Sequence, residues 1–424
     1  MSEDFLQFIW KFGLFNRTNM KTDTGETVQV ISLGEQNADS GPDFLNARVR
    51  IGETTWAGNV EVHQQSADWY LHKHQEDKAY DNVILQVVYR HNRKVKRTNG
   101  ENIPTVELSF EDSLYRNYLS LMHRKGQMPC SRNIHQIDPL LIDCWLDSLV
   151  VERLQARTNQ VADLLESFKN SWDEAIYISL SRSFGFGLNA DPFEMLARST
   201  PLKYLMANRD KLFKVEAMLF GQSGLLPDHM EEDAYLTALC KEYAYLQHKY
   251  KLQPLEKHIW KFLRIRPGNF PTIRIAQLAA LIAKSEGLFS QLLECTSIEQ
   301  LRSILDVTAS SYWDSHYTFS KKTPLRKKRL GKDAFNIILI NVVVPYFFIY
   351  GKINGREDLK ELALNWLNRL PAEKNRIVSR WSSAGITASS AFYSQALLQL
   401  HQHYCMRKNC LSCLIGTRII TSEA

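Results

Sequence analysis

Long apolar runs are missing from this 424-residue sequence. The longest, over 334–350, is interrupted by Asn336, Asn341 and Pro345. It falls short of the roughly 20 residues a bilayer span needs, so it predicts a buried, Pro-interrupted helix and no membrane partner. The opening residues, Met-Ser-Glu-Asp-Phe, have neither the basic nor the apolar segment of a secretory leader, and a cytoplasmic location is expected. Cysteine is sparse, with seven residues. An odd, small number argues against a disulfide framework and for reduced thiols or a metal site. No long low-complexity linker and no clear repeat period are found, which leaves ordinary globular domains.

What is present is a long, aromatic-rich soluble chain. Apolar residues make up 44% and charged residues 23%, with 20 Phe, 17 Tyr and 9 Trp. That is enough for two or three domains with sizeable cores. The net charge of +6 is unevenly spread. Residues 1–128 hold 15 Lys+Arg against 17 Asp+Glu, whereas the remainder holds 37 against 29. An acidic unit beside a basic one suits a metal-binding domain next to a surface for a polyanion.

The hydrophobic pattern changes character along the chain. Residues 3–15 have helical spacing, with Glu3 and Asp4 in the first turn. Alternation then predicts strands over 27–33, 45–51, 54–63 and a short one near 105–108, and a mostly apolar run predicts a central strand over 82–89. From about residue 112 helices dominate. Asp138-Pro139 predicts a helix start, and Ser171-Trp172-Asp173-Glu174 matches a capping box. Further helices are expected over 190–220, 231–252, 255–265, 273–285, 296–306, 334–350, 356–369 and 389–404. The expected fold is an α+β domain over 1–128, with a mixed sheet of about five strands and flanking helices, followed by an all-α region over 129–424.

Acids and imidazoles concentrate between Gly41 and Tyr89. Glu61 and His63 are two apart on a strand and share a face. Asp43 stands at the end of the neighbouring strand. Carboxylates converging in this way can hold a divalent cation that polarises a phosphate and acidifies water. Regular alternation would turn Asp43 to the face of Leu45 and Val49, so a bulge or Pro42 must re-aim it. The same spacing also suits a polar outer sheet face with Asp43 as a loop cap. His72 and His74 would share a direction on a strand or turn but diverge on a helix. They offer a proton donor or metal ligands, or simply surface histidines. Asp81 reads as a turn residue.

Pro42-Asp43 followed by Glu61-x-His63 resembles the PD-(D/E)XK nuclease superfamily, whose pattern is a Pro-Asp on one strand and Glu-x-Lys on the next. The resemblance implies a restriction-endonuclease-like core and a nuclease acting on DNA or RNA, with Asp43 and Glu61 as ligands of Mg²⁺ or Mn²⁺. His63 stands where that superfamily has its lysine. The chain as a whole resembles a bacterial family, domain of unknown function 2851. That likeness rests on Gly41-Pro42-Asp43-Phe44, the segment Gly58 to His63, Asp68-Trp69 with His72 and His74, Phe220-Gly221, the segment Leu263 to Pro271 and the C-terminal cysteines. It implies no activity. A catalytically inert nucleic-acid-binding or scaffold protein that keeps the fold is the alternative.

Cys405, Cys410 and Cys413 are clustered, and a pair two apart can bend around a metal. Cys130, His403 or His401 offers a fourth ligand, for structural Zn²⁺ or for an iron–sulfur cluster. Some nucleases of the superfamily likewise close a domain with one distant and three clustered cysteines. Cys144, Cys240 and Cys295 read as core residues. Two basic stretches suit nucleic-acid contact. One contains Lys327, Lys328 and Arg329, near Tyr312, Trp313, His316, Tyr317 and Phe319. The other contains Lys261, Arg264, Arg266 and Arg274. The usual reading of the first is a solvated loop, and in the second Arg264 and Arg266 equally suit pairing with helical carboxylates.

Overall fold

Apolar alternation in the first hundred residues resolves into one mixed sheet in the computed structural model, which describes residues 1–124, 126, 128–227 and 233–422. Helix α1 (Glu3–Lys11) buries Phe5, Leu6, Phe8, Ile9 and Trp10. Strands β1 (Val28–Ser32), β2 (Phe44–Ile51), β3 (Thr54–Gln65), β4 (Val83–Arg90) and β5 (Thr105–Glu107) lie in that order across the sheet. A two-residue strand, Glu35–Gln36, pairs with β2. The first three strands run antiparallel, whereas β3, β4 and β5 are parallel. The connection from β3 to β4 holds the short helix α2 (Asp68–Leu71) and two 3₁₀ turns, His74–Glu76 and Lys78–Tyr80. The crossover is broken into three pieces because Lys73 adopts φ +62 and Asp77 is extended.

The register of β2 settles the orientation of Asp43. Pairing with β3 is irregular between Phe44 and Ala47, and Asn46 has φ +57. This bulge keeps Phe44, Ala47, Val49 and Ile51 all buried and turns Asp43 away from them. A two-residue alternation carried straight through the strand would not have allowed both.

Gly58 sets the spacing of β3 and β4. A Cβ there would stand 2.5 Å from Ile84 Cγ2 and 2.6 Å from the Asn82 carbonyl oxygen, and the Asn59 amide donates to that same oxygen at 2.8 Å. Gly58→Ala is therefore expected to push β4 outward and cost about 1–3 kcal/mol. Denaturant melts of the two proteins check this, and equal midpoints would reject the close-approach reading.

Two compact units are formed. One comprises Met1–Trp145 with Leu400–Ala424, the other Leu146–Gln399. The border expected at residue 129 lies inside the first unit, and the cysteine-bearing C-terminal segment joins the α+β sheet. Contacts of the C-terminal helix (Leu414–Thr421) with helix α3 (Asp112–His123) and with the 3₁₀ turn Pro129–Arg132 hold it there.

The second unit is mostly helical, with a two-stranded hairpin (His316–Thr318 and Lys321–Lys322) that the all-α expectation did not include, and two further segments depart from expectation. Over 255–265 there is a single 3₁₀ turn, Lys257–Ile259. Side chains fix the backbone instead: Trp260 Nε1 donates to the Ser223 carbonyl at 2.8 Å, and Asn189 both donates to and accepts from Lys261 backbone atoms. The capping box at Ser171 is half formed. Its hydroxyl accepts from the Glu174 amide, but the Glu174 carboxylate accepts from the Leu202 amide. The complete box lies at Ser297 and Gln300. The stretch Lys332–Asn354 is, by length and composition, apolar enough for a bilayer span, yet 78% of its apolar window is buried inside the fold, as in the core helix expected. It widens to a π-turn over Leu339–Val343, because Pro345 has no N–H for the carbonyl of residue 341. Of the three cysteines assigned to the core, Cys295 is buried, Cys240 half-buried and Cys144 exposed.

Candidate metal centre

Glu61 and His63 leave the same face of β3, opposite Val60 and Val62, and this face is covered. Glu61 is 5% exposed and His63 fully buried. Burial on both faces follows from α1 packing over β3. The first candidate pair is bound reciprocally. The Asp43 amide donates to Glu61 Oε2 at 3.0 Å, and the Val62 amide donates to Asp43 Oδ2 at 2.9 Å. Each carboxylate is thereby fixed by the other's strand. Gln7 Nε2, from α1, donates to Asp43 Oδ1 at 2.8 Å. One helical turn earlier, Glu3 faces the same way, and its Oε1 lies 3.8 Å from His63 Nε2.

The turn after α2 supplies the imidazoles. The left-handed backbone at Lys73 reverses what a helix would do and brings His72 and His74 to the same side of His63, with His74 buried and His72 exposed. His63, His72 and His74 have donor nitrogens all within 4.8 Å of one another. His74 Nε2 lies 3.2 Å from Glu61 Oε1, and His63 Nε2 lies 3.6 Å from it. Among the described residues His74 Nε2 is one of the buried polar atoms that make no hydrogen bond. A buried ring nitrogen facing a carboxylate oxygen without bonding to it is the arrangement expected when both would share a cation. Tyr80 stacks on His74 with ring centroids 3.8 Å apart, and Trp69 closes the cluster edge-on.

His63 has a definite tautomer. Gln86 Nε2 donates both to the Ser66 carbonyl at 3.2 Å and to His63 Nδ1 at 3.1 Å, while Thr105 Oγ1 donates to Gln86 Oε1. The Ser66 carbonyl can only accept, which orients the amide. Nδ1 of His63 thus accepts, and its proton sits on Nε2, 3.2 Å from His72 Nδ1. Burial, with His74 and His72 adding to it, pulls the His63 pKa down to about 3, so the ring is neutral.

The acids respond in the opposite sense. Burial, then the neighbouring Asp43 and Glu61 charges, raises Glu3 to about 7. Burial, then Glu61, raises Asp43 to about 7 despite the Val62 and Gln7 bonds. Burial raises Glu61 to about 7. Three carboxyls held together against their own repulsion lie beside the neutral His63 ring, and carboxylate oxygens with imidazole nitrogens suit a divalent cation. The three residues whose donor atoms all lie within 4.8 Å are His63, His72 and His74, and Glu61 stands against His63 and His74.

The structure brings Asp43, Glu61, His63, His72 and His74 together, as the sequence spacing suggested. It adds Glu3, Gln7, Gln86 and Tyr80, which the sequence reading did not select. A signal existed for the first three. Glu3 and Gln7 are polar and four apart on one face of an amphipathic helix, and Gln86 is the lone polar residue in Val83–Val88. Asp81 accepts from the amide and hydroxyl of Thr98 and is a turn residue.

The basic stretches behave differently. Lys328 is buried, its ammonium bonded to the Asp314 and Arg326 carbonyls and lying over the Tyr317 ring. Arg329 is paired with Asp306. Lys327, Arg264 and Arg266 are exposed, whereas Arg274 is buried over Phe186. The neighbouring aromatic residues pack on one another, and Trp313, fully buried, stacks on Phe220. Trp313 and His316 are buried, whereas Tyr312, Tyr317 and Phe319 are half-buried with their rings against neighbours.

No curated protein and no solved structure matches this chain. A family match does cover nearly all of it, over residues 3–376, and takes in the whole of the acid–imidazole cluster. On that match, the chain belongs to the family described as "Protein of unknown function (DUF2851)".

Proposed function

We propose that the first unit is a metal-dependent phosphodiesterase that cleaves nucleic acid, working in the cytoplasm, with Asp43 and Glu61 as the ligands of Mg²⁺ or Mn²⁺. The observation that carries this reading is the reciprocal anchoring of Asp43 and Glu61 on adjacent strands, with His74 Nε2 unbonded 3.2 Å from Glu61. The element order also supports it: a helix, three antiparallel strands, a crossover and a parallel strand are what the PD-(D/E)XK resemblance implies. A bound divalent cation supplies Lewis acidity for the phosphate and acidifies water. The protein's own groups supply the rest. His63 offers a neutral Nε2–H donor where the superfamily has a lysine. His72 Nδ1 accepts from it, which leaves the His72 Nε2–H as a hydrogen-bond donor to a phosphate or leaving oxygen. The exposed Lys327, Arg264 and Arg266 of the second unit are cations for phosphate contact.

One observation favours a second reading, an inert nucleic-acid-binding protein that keeps this fold. His63 is held neutral and provides no permanent charge. The two readings separate in one experiment. Purified protein with Mg²⁺ or Mn²⁺ is incubated with labelled single- and double-stranded DNA and RNA. Cleavage that chelator stops and that Asp43→Asn lowers by at least about 10²-fold is expected. Salt-sensitive binding with no cleavage of any substrate would select the inert protein.

A further inference from the structure

Four cysteines outside the acid–imidazole cluster converge in the first unit. Cys130 lies in the turn Pro129–Arg132, Cys405 ends a π-helical stretch, Cys410 opens a 3₁₀ turn, and Cys413 is the residue before the C-terminal helix. All four are buried and none is in a disulfide. The Lys408 amide donates to the Cys405 carbonyl at 3.2 Å and the Cys413 amide to the Cys410 carbonyl at 3.3 Å, and the C-terminal helix packs on both the Cys410–Ser412 turn and the Pro129–Arg132 turn that carries Cys130.

The backbone around them is built for close approach. Lys408 has φ +54, which bends the chain between Cys405 and Cys410. A Cβ at Gly416 would stand 2.2 Å from the Cys410 carbonyl oxygen, so only glycine lets the helix start settle on the Cys410 turn. The Gly416 and Ile415 amides point at Cys413 Sγ. Arg124 ties the other side, donating to the Pro129 carbonyl and to Asn133, and Lys408 Nζ donates to the Met122 carbonyl.

We propose that Cys130, Cys405, Cys410 and Cys413 form a four-thiolate site for a thiophilic metal centre, an iron–sulfur cluster or a zinc ion, which joins the C-terminal segment to the α+β sheet. Disulfides do not explain four unpaired buried thiols, and an ordinary core would not gather four of the chain's seven cysteines at one point. On binding, each thiol loses its proton to solvent and its sulfur donates a lone pair to the metal. Four thiolates suit either a tetrahedral zinc or an iron–sulfur cluster, and metal analysis separates the two. This site does not depend on the phosphodiesterase reading.

The test is metal analysis of the full chain purified without chelator under anaerobic conditions. Stoichiometric iron with acid-labile sulfide and a visible absorption that dithionite bleaches upholds the site as a cluster. Stoichiometric zinc without that absorption upholds it as a zinc site. Absence of both metals, with all seven thiols reacting with a thiol reagent after denaturation, overturns it. Cys130→Ser and Cys413→Ser are each expected to lower bound metal at least about tenfold, whereas Cys295→Ser, buried elsewhere, should not. Where a variant fails to fold, the wild-type metal content still decides.

Discussion

In chelator at pH 8, Glu61→Gln is expected to melt at a higher temperature than the wild type while losing cation-dependent activity. The glutamine keeps the acceptor for the Asp43 amide and gains an N–H to offer His74 Nε2, so the geometry is preserved. What it removes is a carboxyl raised by burial to about 7. The sign follows from proton linkage. Below about pH 4.5 the carboxyl is protonated in both folded and unfolded chains, and no penalty exists. As pH rises toward 7 the unfolded chain releases its proton and the folded chain keeps it, so stability falls through this window and the loss is complete above it. The variant has no such loss. Its advantage should be absent near pH 4.5 and on the order of 1–2 kcal/mol at pH 8, a few degrees in Tm. Mg²⁺ or Mn²⁺ at pH 8 should raise the wild-type melting temperature and leave the variant unmoved. Thermal melts at the two pH values, with and without cation, check all of this. A variant less stable than the wild type in chelator at pH 8 would show that the Glu61 charge stabilises the apo fold, against the cation-site reading.

Trp69→Ala is expected to cost about 3–5 kcal/mol. Trp69 is fully buried among Val83, Val95 and Ile103, and its indole N–H donates to the Lys96 carbonyl at 3.0 Å. It stands edge-on to His74 and to His63, with centroids 5.2 and 6.4 Å away. Truncation opens a cavity beneath both imidazoles and leaves the Lys96 carbonyl unpaired. Trp69→Phe keeps part of the ring contact and should cost less than half as much. Denaturant unfolding gives the free energies. A loss below about 1 kcal/mol for the alanine variant would mean that the cluster does not rest on this ring.

The acid–imidazole cluster was partly legible because β-strands have a fixed side-chain period. Glu61 and His63 two apart had to share a face, and the motif around Asp43 drew attention to the neighbouring strand. The orientation of Asp43 was not legible. It depends on a bulge at Asn46 with φ +57, and no residue type announces a bulge without its partner strand. His72 and His74 were selected, but their joint direction rests on the left-handed Lys73, a conformation that a lysine seldom adopts. Glu3 carried only a local signal, a helix-start acid, and its proximity to His63 comes from the way α1 crosses β3.

Charge was read least well from sequence. Lys327, Lys328 and Arg329 are consecutive, yet one is exposed, one buried over Tyr317, and one paired with Asp306. A run of cations fixes composition, while exposure depends on what folds over it. The helix forecast for 255–265 failed for a related reason. Apolar spacing was present, but Trp260 and Asn189 bind the backbone in an extended path, and tertiary bonds override weak helical propensity.

By itself, the sequence determined the α+β start, the helical remainder, the strand pair bearing Asp43, Glu61 and His63, and the reduced cysteines. These follow from periodicity and composition, which act over a few residues. Only the tertiary structure decided that Glu3, Asp43 and His72 gather around the buried Glu61, His63 and His74, that His63 is neutral with its proton on Nε2, and that Cys130 joins Cys405, Cys410 and Cys413. Those outcomes need segments far apart in the chain to be desolvated together, and desolvation and mutual repulsion are properties of the assembled site.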